Sequence, residues 1–256
     1  MIIFNTDLDN TMIFSYKRDI GKNKICVEIY QGREVSFITP KTAELIKQIS
    51  KKMLFVPTTT RTIEQYQRIN LGINIEYALV CNGGILLKNG IEVPQWYEES
   101  LDLIKDCQPQ LKLAENILEK DSNRSFEVRN ISDLFIFTKS DNPDVSIANL
   151  EKNLDLSKMS VFANGTNVYA VPKMLSKGVA VGRLKKKLGA DLTISAGDSE
   201  FDVPMVQTAD ISIIPPDFPS GNAILPGNII KMSEDFGGVF SEFVLSKGLD
   251  IIGDLV

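Results

Sequence analysis

The chain has 256 residues, of which 43% are hydrophobic and 24% charged, and a formal net charge of −5. This suits a globular protein with one large domain or a core and a smaller second domain, and it argues against disorder. The acidic balance excludes a protein whose main partner is nucleic acid. The chain has no histidine, which excludes Ser-His-Asp hydrolases, histidine-dependent cysteine hydrolases and histidine-ligated zinc sites.

Residues 1–6, MIIFNT, form an apolar run that predicts a buried strand. Residues 25–30 and 34–38 alternate apolar and polar around Gln31-Gly32-Arg33, a hairpin signal. Thr39-Pro40 offers a cap and first-turn proline to a helix that follows. Residues 53–57 and 77–81 read as further buried strands, with a short helix over 62–69 between them. Short apolar strands alternating with amphipathic helices predict a parallel α/β sheet, a Rossmann-like core with helices on both faces.

The pattern changes after Asn82-Gly83-Gly84. A small hairpin over 85–93 is expected, then a helix over 98–119, strands near 125–130 and 134–139, and a helix over 144–153. Strands near 159–163 and 167–171 follow, turning at Asn164-Gly165. A helix-strand-strand unit occurring twice is α+β grammar, so residues 84–172 are expected to be an inserted domain in a discontinuous core of 1–83 and 173–256. The α/β pattern then resumes with a helix over 177–188, a strand over 192–196, a short helix over 203–208 and a strand over 211–214. A proline-rich loop (Pro215, Pro216, Pro219, Pro226) and a last helix over 235–247 complete the chain. The run Lys185-Lys186-Lys187 lies in a helical pattern and reads as a solvated face.

Cys26, Cys81 and Cys107 are too few and too irregularly spaced for a disulfide framework. Reduced thiols in a cytoplasmic protein are expected. The opening residues lack the basic start of a signal peptide, and no run of about 18 apolar residues occurs, so no membrane span is expected. Oligomeric state is not legible.

Four features stand at the C-terminal ends of predicted strands or at a helix start, where open α/β sheets place ligands. They are Asp7-Leu8-Asp9-Asn10-Thr11, Thr58-Thr59-Thr60-Arg61, Lys177, and Gly197-Asp198-Ser199-Glu200-Phe201-Asp202. Each alone has an ordinary structural reading as a turn or cap. Together they suit phosphate-ester hydrolysis, which needs a nucleophile, a proton donor for the leaving oxygen and positive charge around the phosphoryl group. Asp7 can act as the nucleophile, forming an aspartyl phosphate. Asp9 can act as acid and then base. Asp7 and Asp198 can supply the hard oxygens that magnesium prefers.

In these ordered motifs the chain resembles the haloacid dehalogenase superfamily of phosphatases. The likeness is to the branch with a large α/β cap inserted after the third core strand, which includes sucrose-phosphate phosphatases and Cof-type sugar phosphatases. The resemblance implies that Asp7 is nucleophile and metal ligand, and that Asp9 is the acid/base with its carbonyl on the metal. It implies that Lys177 holds the phosphoryl group and that Asp198 and Asp202 complete a Mg2+ site. Thr59 stands two before Arg61, where this branch reads Thr-Gly-Arg, and so resembles the phosphate-binding hydroxyl, with Thr58 as the alternative. Thr58, Thr60, Arg61, Asn82 and Gly83 are expected to lie at the substrate. Asn10, Thr60 and Phe201 depart from the family's usual Gly, Gly and Asn.

The implied activity is Mg2+-dependent hydrolysis of a small phosphorylated metabolite, a sugar phosphate by default. A dehalogenase is disfavoured, because dehalogenation does not need an acid at Asp9. A phosphotransferase or mutase on the same scaffold, and a catalytically inactive sugar-phosphate-binding module, remain as alternatives.

Overall fold

The computed structural model describes residues 1–221 and 223–255; residue 222, inside the expected proline-rich loop, and residue 256 lie outside the described residues. The chain divides into two compact units, Met1–Val93 with Lys177–Val256, and Pro94–Ser176.

In the first unit the chain runs through β1 (Ile2–Thr6), β2 (Phe14–Ser15), β3 (Ile25–Tyr30), β4 (Arg33–Ile38), α1 (Pro40–Ile49), β5 (Leu54–Pro57), α2 (Ile63–Gln67), β6 (Tyr77–Val80), β7 (Ile85–Lys88) and β8 (Ile91–Glu92). The expected 85–93 hairpin is present, but it belongs to this unit and not to the insertion. The reason is that β7 pairs antiparallel with β6, Val80 opposite Ile85.

The second unit holds α3 (Pro94–Leu103), α4 (Gln108–Glu119), β9 (Arg129–Ile131), β10 (Phe135–Lys139), α5 (Pro143–Asn153), β11 (Met159–Asn164) and β12 (Asn167–Pro172). Its four strands form one antiparallel sheet in the order β11-β12-β10-β9. The expected helix over 98–119 is two helices. Pro109 sits in the first turn of α4, where its missing N–H costs nothing; inside a continuous helix it would remove a hydrogen bond. The strand expected at 125–130 is ordered as strand only from Arg129. Before it the Thr138 hydroxyl donates to the carbonyls of Phe126 and Glu127, in place of ladder bonds.

The first unit resumes with α6 (Lys177–Leu188), β13 (Leu192–Ala196), α7 (Val203–Thr208), β14 (Ile211–Ile214), β15 (Ile229–Lys231) and α8 (Phe240–Leu255). Strand β15 falls in the stretch expected to be loop. The last helix starts after Gly237-Gly238, later than expected, and runs to Leu255. The central sheet is parallel in the order β15-β14-β13-β1-β5, and β6 adjoins β5 through a parallel bridge between Thr58 and Leu79.

Strand β1 lies in the middle, with Thr6 opposite both Ala196 and Pro57. Helices cover both faces. Phe4 is fully buried against α1 and α8: a Cβ at Gly248 would stand 2.8 Å from its ring and 3.1 Å from Ile49. Side chains alternate along a strand, and on the other face Ser212 donates to the Val206 carbonyl of α7. A sheet covered on both sides explains why its strands are continuous apolar runs. Its open edge for ligands is the row of C-terminal strand ends at Thr6, Pro57 and Ala196.

Candidate active site

Asp7 is the first residue beyond β1, held by its amide on the Ala196 carbonyl at 2.9 Å. The chain then turns back: the amides of Thr11, Met12 and Ile13 all point to the Leu8 carbonyl. The turn requires Asn10 at φ 60°, a conformation that asparagine tolerates better than other side chains. Asn10 thus stands where the resemblance leads one to expect glycine, and it takes a backbone shape that glycine also favours. The turn brings the Thr11 hydroxyl to Asp198 Oδ1 at 2.9 Å.

Lys177, the first residue of α6, is 1% exposed. Its Nζ donates to Asp7 Oδ1 at 2.5 Å and to Asp202 Oδ1 at 2.6 Å. The other oxygen of Asp202 accepts from the amides of Asp198 and Ser199 and from the Ser199 hydroxyl, at 2.9–3.0 Å. This packing needs glycine at 197, where a Cβ would stand 2.3 Å from that of Asp202. Asp7, Asp198 and Asp202 each place an oxygen within 4.8 Å of the others. Burial, and secondarily the charges of Asp202, Asp198 and Asp9, push the Asp7 carboxyl well above the ordinary range despite Lys177. Burial and Asp202 push Asp198 up to about 7. Burial works against the Lys177 charge, but Asp202 and Asp7 outweigh it and hold the ammonium above its usual value.

Thr58 donates its hydroxyl back to the Val56 carbonyl. Thr59 accepts from the Arg61 amide at 3.2 Å, and its own proton has no acceptor among the described residues. This distribution supports Thr59 over Thr58 as a donor to a ligand. The Asn82 amide donates to the Thr59 carbonyl and the Cys81 amide to that of Arg61, so the turn at 81–84 is stitched to this segment. Cys81, Asn82 and Gly83 all lie at positive φ. Thr60 is half-buried.

Arg61, expected at the substrate, is engaged within the chain. Its Nε and Nη2 donate to the two oxygens of Asp9 at 2.7 Å each, and Nη1 donates to Glu28 at 2.9 Å. Three further residues take part in the site: Thr11 on Asp198 and Ser199 on Asp202, both inside the quoted motifs, and Glu28 on Arg61, which no motif marks.

The chain matches the family model of haloacid dehalogenase-like hydrolases over residues 93–214, which span the insertion, Lys177, Asp198 and Asp202. Over that stretch the chain is similar to the haloacid dehalogenase-like hydrolases. Among curated relatives it is 26% identical over 219 residues to a phosphoglycolate phosphatase of Sulfurisphaera tokodaii, covering 82% of this chain and 87% of that protein. It is 24% identical over 207 residues to phosphoglycolate phosphatase 2 of Saccharolobus solfataricus, covering 76% and 81%. The sucrose-phosphatase of Synechocystis, solved with sucrose and phosphate, shares its fold with a TM-score of 0.67 over 98% of both chains at 15% identity. The expected parallel α/β core and additional antiparallel sheets are both present.

Proposed function

We propose that the chain is a Mg2+-dependent phosphatase that hydrolyses a small phosphate monoester, a sugar phosphate or related metabolite, through a phosphorylated Asp7. The observation that carries this reading is the buried cluster of Asp7, Asp198 and Asp202 around Lys177 at the C-terminal edge of the sheet. Three carboxylates against one ammonium leave a buried excess of negative charge, which a cation bound by hard oxygens would offset. Asp7, Asp198, Asp202 and the Asp9 carbonyl would hold it. When bound, magnesium supplies the positive charge that lets a carboxylate approach a phosphate dianion.

Asp7 would attack phosphorus through a carboxylate oxygen. As that bond forms, the ester P–O bond breaks, and the leaving oxygen takes the proton of Asp9. Water then attacks the phosphoryl group and gives a proton to Asp9. The Asp7–phosphorus bond breaks, releasing inorganic phosphate and restoring both carboxyl groups. Lys177 and the Thr59 hydroxyl are the groups that would hold the phosphoryl oxygens.

The test is phosphate release from p-nitrophenyl phosphate and from a panel of phosphorylated metabolites, with Mg2+ and with a chelator. Activity is expected with Mg2+ only, and the Asp7→Asn protein should release no phosphate. Turnover by Asp7→Asn at the wild-type rate would exclude the covalent route.

A further inference from the structure

Glu28 stands in the middle of β3 and is 3% exposed. Regular alternation would send Val27 and Glu28 to opposite faces, yet both are buried. The ladder is irregular at this point: Cys26 pairs with Phe37, Glu28 with Ser36 and Ile29 with Glu34, so Val27 and Val35 are skipped on the two strands and the register is regained beyond Glu28. A local irregularity of this kind, like a bulge, disrupts the ladder and re-aims a side chain.

The re-aimed carboxylate meets three donors. Ser36 Oγ reaches Oε2 at 2.6 Å, while Arg61 Nη1 and Arg68 Nε reach Oε1 at 2.9 and 3.1 Å. The strand is fastened beside α2 by the Asn70 amide on the Val27 carbonyl, and by the Arg68 guanidinium 4.6 Å from the Tyr30 ring centre. Arg61 also reaches the Gln65 carbonyl through Nη1 at 3.4 Å, and turns Nε and Nη2 to the two oxygens of Asp9. The Asp9 side chain is 50% exposed, so packing does little to fix it. Its plane is set by the planar fork of Arg61, and that fork is held by Glu28 at 2.9 Å, with the Gln65 carbonyl a longer contact at 3.4 Å.

We propose that Glu28 is a positioning residue that orients the carboxyl of Asp9 through Arg61, and that this is what the β3–β4 hairpin contributes to the reaction. The proposal rests on the reading of Asp9 as the acid that protonates the leaving oxygen. An acid held in line matters most when the leaving group is a poor one.

The experiment measures kcat/KM, which covers the steps through departure of the alcohol, for 2,4-dinitrophenyl, p-nitrophenyl and phenyl phosphate with Mg2+. General acids contribute about 10²–10⁴-fold in all. For Glu28→Gln, kcat/KM with phenyl phosphate should therefore fall at least about ten-fold more than with dinitrophenyl phosphate. Ser36→Ala, which removes one Glu28 contact and keeps every charge, should shift the series the same way by a smaller factor. It also keeps the test open if Glu28→Gln folds poorly. An equal loss across the three esters, or no loss, overturns the proposal. A crystal structure of Glu28→Gln gives a readout independent of turnover. Release of Asp9 from the Arg61 fork supports the proposal, and retention of both 2.7 Å contacts overturns it. If the wild-type protein hydrolyses none of the esters, the proposed activity fails, and that structure alone decides the role of Glu28.

Discussion

Lys177 carries its charge at 1% exposure, between Asp7 and Asp202. Breaking a buried charge pair by removing one partner costs about 3–5 kcal/mol, because the other partner stays buried and uncompensated. Lys177→Met is therefore expected to lower the unfolding free energy of the metal-free protein by about that amount. Urea unfolding with and without Mg2+ would measure this, with the loss smaller when the ion is present. Lys177, Asp7, Asp9, Asp198 and Asp202 were legible in the sequence because each follows a strand or opens a helix, and strand ends are where this architecture gathers chemistry. Glu28 was not legible. Its inward aim goes with a local irregularity in the β3–β4 ladder around Val27 and Val35, and nothing in ICVEIY marks where a ladder slips.

Helix α1 shows how an element is held from both ends of the chain. Thr39 caps it, its hydroxyl accepting from the Thr42 amide at 3.0 Å and donating to Glu242 of α8 at 2.6 Å. Thr42 shares a further hydroxyl contact with Ser241 at 2.7 Å. Loss of a cap typically costs about 1 kcal/mol and up to about 2. Thr39→Ala also leaves Glu242 short of a donor, so about 2 kcal/mol is expected in denaturant unfolding. The Thr39-Pro40 start was readable because cap and first-turn proline are adjacent in sequence. The break between α3 and α4 was present in the sequence at Pro109, but the apolar spacing runs on across it. The late start of α8 and the strand β15 depend on packing that no local window contains.

At the scale of the molecule, the buried acids tie stability to pH and to metal. Asp198 has a folded pKa of about 7, above its ordinary 3.8. Its contribution is fully present below about pH 4 and is lost as pH rises through 7. The metal-free protein should therefore melt at progressively lower temperature across that window. Mg2+ should reverse the trend, because the ion binds the ionised carboxylates; thermal melts from pH 5 to 8, with Mg2+ and with chelator, check both signs. Glu28 works in a separate and lower window. Burial raises its carboxyl, but hydrogen bonds from Arg61 and Ser36 outweigh that and leave it below the usual value, so its contribution fades only as pH falls below about 4.5. The central strand has one further consequence. Ile3 finds its first neighbour at Leu54, but Ile2 finds its other neighbour only at Leu192. During synthesis β1 must wait as an exposed apolar edge while most of the chain is made. Pairing at such long sequence separation is slow, so Asp7 at its tip acquires its surroundings among the last parts of the fold.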